Sequence, residues 1–238
     1  MTYLRSISVR APAKVNPQFG VGWRRDDGYH ELASVFLAVS LSDRITLTAA
    51  EELRVTVGGP GAANVPADGS NIAARAVELL AKRSGLHPGV HVHIDKHIPV
   101  QGGMAGGSAD AAGALVGCDA LWNLGLGRPE LMSPAAELGS DVPFSLLGGA
   151  AFGSGSGERL TVHPVGATTH WVGTDADALA GILCGSGATI GFIVSDGDQA
   201  RTVAQKLLAS GTCASVHIAA GPVPRPEPEE IITRGENG

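Results

Sequence analysis

The chain has 238 residues, a formal net charge of −6 and 44% hydrophobic residues, enough for one large domain or two small lobes with a sizeable core. That mildly acidic balance lacks the basic footprint of a nucleic-acid binder, so no nucleic-acid partner is expected. No apolar run approaches the ~20 residues of a membrane span, and the first residues lack a signal-peptide core. This predicts a cytoplasmic protein without a membrane partner. Cys118, Cys184 and Cys213 match no metal spacing and read as reduced thiols, Cys118 as a core residue. The 34 glycines and many alanines read as tight packing with frequent turns.

In chain order, Ile7 to Ala11, Val35 to Leu47 and Leu53 to Val57 carry strand patterns. Gly58 to Gly69 reads as a loop. Ile72, Ala76, Leu79 and Leu80 recur at helical spacing, which predicts a helix over 71–84 ended by Gly85. Val90 to Ile94 alternates as a half-buried strand. His91 and His93 share its polar face and read as solvated residues, with no third metal ligand nearby. Ser108 to Trp122 predicts a helix with an apolar stripe through Ala111, Ala114, Leu115, Cys118 and Leu121. A short helical piece over Ala135 to Gly139 follows. Phe144 to Phe152 reads as buried strand and turn, and Gly153 to Gly157 as a hairpin or loop. Gly191 to Ser195 predicts a strand. A helix capped by Asp198 and ended by Gly211 comes next, then a strand at Val216 to Ala219. Pro224 to Gly238 is rich in Pro and Glu and reads as a flexible tail. Strands and helices that do not alternate strictly argue for an α+β fold.

The richest segment is Pro99-Val100-Gln101-Gly102-Gly103-Met104-Ala105-Gly106-Gly107-Ser108-Ala109, between a strand pattern and a helix pattern. Glycines there let the backbone take positive φ and approach an anion closely. The free N–H groups of the helix then point at that anion, with the helix dipole behind them. The spacing is neither a P-loop nor a dinucleotide fingerprint. The plainer local alternative is a flexible turn with Ser108 as N-cap.

Four further motifs accompany this loop in order: Ala11-Pro-Ala-Lys14-Val-Asn16, Asp27-Gly28-Tyr29-His30-Glu31-Leu32, Gly139-Ser-Asp141-Val-Pro-Phe144 and Gly185-Ser186-Gly187-Ala-Thr189. The set resembles the GHMP kinase superfamily. Within it, the Tyr29-His30 motif resembles the branch whose acceptor is a cytidine diphosphate ester of methylerythritol. The resemblance implies a two-lobed α+β fold, with an N-terminal lobe like ribosomal protein S5 and a ferredoxin-like C-terminal lobe. Residues 1–155 would form the first lobe and 156–223 the second, before a tail at 224–238. It implies ATP-dependent phosphorylation of the 2-hydroxyl of the methylerythritol moiety, in the non-mevalonate route to isoprenoid precursors.

Under that resemblance, residues 99 to 109 hold ATP and Ser108 touches phosphate or Mg²⁺. Asp141 and Lys14 are the catalytic pair, Asp141 as base or orienting group for the acceptor hydroxyl. Asn16, Tyr29, His30, Gly185, Ser186 and Gly187 bind the acceptor, with Tyr29 stacking on cytosine. The protein would be a monomer or homodimer. The alternatives are a GHMP kinase for another small alcohol and a non-catalytic nucleotide-binding relative. Two features depart from the family pattern. Pro17 follows Asn16 and removes a ladder donor, which places it at an edge or bulge. The family also has a long, mostly helical stretch after the position of Val172, whereas this chain passes almost at once to Asp177. Loss of several helices would expose core, so the expectation is that residues are missing from the record between Val172 and Asp177.

Overall fold

A computed structural model describes residues 3–24, 30–154, 159–165, 168–173, 180–183, 190–211, 213 and 215–234. Two sheets organise the described residues. Long strands β1 (Tyr3–Arg24) and β2 (His30–Ala49) pair antiparallel from Ser6 opposite Thr48 to Arg24 opposite His30. The register shifts between Pro12 and Ala13, Val15 and Gln18, and Val21 and Arg24. Pro17 therefore sits at an irregularity, where a missing N–H interrupts no ladder bond.

β2 takes two further partners. Its Arg44–Ala49 half pairs with β4 (Val90–Asp95), which runs parallel to β3 (Arg54–Gly58). Its Ser34–Leu37 part pairs with β5 (Ala150–Ser154), which in turn pairs with β6 (Arg159–Val162). Thus β6, within the stretch read as the second lobe, belongs to the first sheet.

Helices α1 (Ile72–Ser84), α2 (Gly106–Trp122), α3 (Arg128–Leu138) and α4 (Val142–Leu147) pack with this sheet around one core. The Asn71 side chain caps α1 by accepting from the Ala73 N–H at 2.9 Å, and Gly85 ends it in the left-handed region. α2 is buried on nearly every side, including Asp110, Ala112, Val116 and Cys118, not along one stripe as expected. It runs between the sheet and the other helices. Its glycines allow that approach. A Cβ on Gly117 would stand 2.2 Å from Leu47 Cδ1, and one on Gly113 2.9 Å from Ile45 Cδ1. Burial pushes the Cys118 thiol well up from its ordinary range.

Several expectations need correction. α2 starts at Gly106 with Ala105 as N-cap, so Ser108 lies in the first turn and caps nothing. The short piece at Ala135 extends back to Arg128, with Pro129 in the first turn, where its missing N–H costs no bond. Phe144 to Leu147 is helical, not strand. Pro143 sits in the first turn of α4, and Gly148 and Gly149 end it at positive φ. Its apolar run is continuous because the helix is buried, and burial erases the periodicity that separates helix from strand. Asp196, not Asp198, caps helix α5 (Gly197–Ser210), accepting from the Asp198 and Gln199 N–H groups at 2.9 and 2.8 Å.

Residues 228–234 are no loose tail. They form β11 (Pro228–Arg234), antiparallel to β1 at the sheet edge. The approach to it is pinned: Val223 N–H donates to Ala38 O at 3.0 Å, and Arg128 donates to Pro226 O. Tertiary pairing overrides local composition here. His91 and His93 both bond to the Thr56 hydroxyl, at 2.8 and 2.9 Å. Among the described residues no group of three metal-type side chains exists.

The second sheet has β7 (Thr169–Gly173), β8 (Ala180–Leu183), β9 (Ile190–Val194) and β10 (Ile218–Gly221) in the order β10-β7-β9-β8. The last strand begins two residues later than expected. Helix α5 packs on this sheet through Ala200, Val203, Ala204 and Leu207. Since β7 and β8 both run antiparallel to β9, they are parallel to each other. Only residues 174–179 join them, whereas such a crossover usually takes a dozen or more residues and a helix. Among the described residues no helix is long and apolar enough to cross a membrane.

The glycine contact on α2 is directly testable. Gly117→Ala should destabilise the fold by about 1–3 kcal/mol through overpacking against Leu47, read as a lowered thermal midpoint. An unchanged midpoint would mean that α2 does not sit this close to the sheet.

Candidate active site

A cleft of about 720 Å³ opens where the two halves of the first sheet diverge. That size suits a small-molecule site. One wall is Lys14, Asn16, Ser34 and Phe36, from the paired strands β1 and β2. The loop Pro99–Gly107 forms the floor, and Asn64 to Pro66 with Ser70 to Ile72 form the facing wall. Asp141, just before α4, closes the remaining side.

The sequence places these groups through a short chain of bonds. Lys14 backbone N–H donates to Met104 O at 3.2 Å, tying β1 to the glycine loop. Lys14 Nζ donates to Asn16 Oδ1 at 2.6 Å, and Asn16 Nδ2 donates to Ser34 Oγ at 2.8 Å. Ser34 Oγ in turn donates to Gln18 O at 3.1 Å, across the bulge that contains Pro17. The proline therefore helps set the wall instead of disrupting it. Lys14 is 5% exposed, and its ammonium lies 5.9 Å above the Phe36 ring. Phe36 is braced by Phe144 at 5.0 Å between ring centroids.

Lys14 Nζ lies 3.7 Å from Asp141 Oδ2, an ion pair partly open to the cleft. Asp141 occupies the N-cap position of α4, yet its side chain makes no cap bond. Its carboxylate faces Lys14 instead of the helix N–H groups, which is not how a plain capping aspartate behaves.

The loop has three residues in the left-handed region: Gln101 (φ 61°), Gly103 (φ 75°) and Ala105 (φ 56°). Two of them are not glycine, so backbone strain is held at this loop. Of the four glycines, only Gly103 has positive φ. Gly106 is glycine for space, since a Cβ there would stand 2.9 Å from Lys96 Nζ and 3.0 Å from Ile98 Cγ2. Gly106 and Gly107 line the cleft, whereas Ser108 and Ala109 do not contribute to its lining.

Lys14, Asn16, Asp141 and Pro99 to Gly107 are thus brought together as expected. Tyr29, Gly185, Ser186 and Gly187 lie outside the described residues, as does the side chain of His30. The motifs did not disclose Ser34, Phe36, Asn71, Lys96 or Asp110. Of these, Lys96 carried the one usable signal, a lysine three residues before the glycine loop. Burial pushes the Asp110 carboxyl up, against the pull of Lys96.

An α+β fold with a strained glycine loop leading into a buried helix, faced by a lysine–aspartate pair, is the build of a small-molecule kinase. Residues 71–149 match the GHMP kinases N terminal domain. A 4-diphosphocytidyl-2-C-methyl-D-erythritol kinase from Streptomyces avermitilis is 45% identical over 92% of this chain and 98% of its own length. A crystal structure of 4-(cytidine 5'-diphospho)-2C-methyl-D-erythritol kinase superposes with a TM-score of 0.74 at 26% identity, over 90% of this chain and 98% of that one. Homoserine kinase from Cytophaga hutchinsonii gives the same score at 14% identity over 95% and 97%, a likeness of fold alone. The chain belongs to the 4-diphosphocytidyl-2-C-methyl-D-erythritol kinase family, and it is an ATP-dependent phosphotransferase.

The Streptomyces alignment spans 291 residues but takes in only 92% of this 238-residue chain, so about 70 positions of the relative face no residue here. The sequence itself runs unbroken from Val172 to Asp177. The expectation of further residues between Val172 and Asp177 is therefore replaced by a chain that is shorter than its relative.

Gly106→Ala should weaken binding of a non-hydrolysable ATP analogue at least several-fold, because the new methyl displaces the Lys96 head and the start of α2. Titration by calorimetry checks this; affinity within twofold of the parent would show that the close approach does not shape the loop.

Proposed function

We propose that this protein transfers the γ-phosphoryl group of ATP to the 2-hydroxyl of the methylerythritol moiety of 4-diphosphocytidyl-2-C-methyl-D-erythritol. The Lys14–Asp141 pair, 3.7 Å apart and facing the glycine loop across one cleft, carries the reading. Phosphoryl transfer needs positioning and charge neutralisation more than covalent chemistry. The backbone N–H groups of Val100 to Gly107 and the positive end of α2 hold the phosphates. Asp141 accepts a hydrogen bond from the acceptor hydroxyl and takes up its proton as the new O–P bond forms. Lys14 stabilises negative charge on the transferred group. Asn16 and Ser34 fix the direction of the ammonium, and burial under Phe36 strengthens its field.

The donor chemistry fits Mg²⁺. The carboxylate of Asp141, which lines the cleft, is a hard oxygen donor, and Mg²⁺ usually keeps waters and binds largely through substrate phosphates. Such an ion would neutralise phosphate charge. Tyr29 and His30 read the cytosine, and Gly185 to Gly187 complete the acceptor side. A cytoplasmic setting belongs to the same proposal and agrees with free Cys118 and Cys213.

ADP release measured with the cytidine diphosphate substrate tests this. Asp141→Asn should lower kcat by about 10²–10⁴-fold while ATP-analogue binding persists. His30→Ala should raise the acceptor KM and leave the ATP KM alone. Turnover that survives Asp141→Asn would overturn the catalytic assignment. Indifference to His30→Ala would favour another small alcohol as acceptor.

A further inference from the structure

Beneath the glycine loop lies a charged cluster that phosphoryl transfer, as described, does not use. Asp43 is fully buried and does not line the cleft. Its Oδ2 accepts from Lys96 Nζ at 2.6 Å. Its Oδ1 accepts from the backbone N–H groups of His97 and Ile98, at 2.6 and 2.8 Å. These are the last residues before the loop begins at Pro99. Lys96 Nζ also donates to Asp110 Oδ2 at 2.7 Å, in the second turn of α2. Around the stem of Lys96, its backbone N–H donates to Gly58 O at 2.9 Å and its carbonyl accepts from Gly61 N–H at 3.2 Å. One buried carboxylate therefore governs both ends of the loop: directly where it leaves β4, and through Lys96 where it enters α2.

We infer that Asp43 is a positioning residue for nucleotide binding. It acts through the 97–98 backbone and through Lys96, and touches neither substrate. The physical case rests on strain and burial. Left-handed residues at Gln101 and Ala105 persist only when the surroundings over-determine them. Charge-assisted hydrogen bonds from two backbone amides and an ammonium are the strongest restraints available at the loop's base. Removal of Asp43 leaves Lys96 with one carboxylate and the two amides without their acceptor. The glycine loop then loses its fixed ends, and the phosphate-facing N–H groups lose their common aim. The acceptor wall is held mainly by its own side-chain bonds, from Lys14 to Asn16 to Ser34, and joins the loop only through the Lys14 N–H to Met104 O bond, so it changes less.

This inference rests on the kinase reading only for the identity of the nucleotide, so the decisive measurement omits the acceptor. Asp43→Asn keeps the size and one acceptor oxygen but turns an N–H₂ toward Lys96. Binding of a non-hydrolysable ATP analogue, measured by calorimetry on protein shown to be folded, should weaken at least fivefold, and Asp43→Ala should weaken it further. In turnover, the ATP KM should rise by a similar factor with the acceptor KM within twofold of the parent. An unchanged analogue affinity, or equal rises in both KM values, overturns the positioning role. Should both variants fail to fold, hydrogen exchange on the parent decides: the His97 and Ile98 amides should exchange as slowly as those of β4. Exchange as fast as in Gln101 to Gly103 would overturn it. Loss of cytidine-substrate turnover in the parent would sink the acceptor assignment and leave the analogue measurement intact.

Discussion

Strand β2 changes neighbours along its length, and the cleft follows from that change. Its early residues, Ser34 to Leu37, pair with β5, and its late residues, Arg44 to Ala49, pair with β4. β1 stays beside it throughout and absorbs the divergence in bulges. A strand ladder tolerates one partner on each side, so two sheets' worth of neighbours must part where the switch occurs. The early half presents Ser34 and Phe36, and its partner β1 presents Lys14 and Asn16. The late half presents Asp43 to the base of the glycine loop. The space between them is the cleft, and α2 runs beneath it at a distance that only glycine at 113 and 117 allows.

Two buried lysines mark the two sides of this space, and their surroundings differ in a way that sorts their roles. Lys96 lies between two carboxylates, at 2.6 and 2.7 Å, and is 2% exposed. Its charge is spent inside the protein. Lys14 has one carboxylate at 3.7 Å, an amide oxygen and an aromatic face. Its charge is less completely matched, so a developing negative charge nearby finds it available. Breaking a buried pair by removing one partner is far more costly than never having made it, which fits Lys96 as architecture and Lys14 as chemistry.

Much of this was legible in the residues. The glycine loop, the alternation of β3 and β4, the helical spacing and Gly85 stop of α1, and the α5 pattern are local signals, and local physics produced them. The failures share a cause as well. Burial on all sides leaves Phe144 to Leu147 without a period, so α4 reads as a strand. The Pro and Glu content of β11 reads as a tail because it says nothing of the open edge of β1 that receives it. Asp43 was invisible because its partners lie 53 to 55 positions away, and no spacing rule reaches so far. The Lys14 to Asn16 contact, two positions apart on a bulged strand, sits between these cases. A regular strand would put both side chains on one face, which is how they meet.

Among the described residues, every one that lines the cleft falls between Lys14 and Asp141, ahead of the brief link from β7 to β8. The cleft is therefore built from one uninterrupted stretch of the chain. Gain or loss of sequence at that link leaves this stretch untouched, so selection can act on the one while the other stands still.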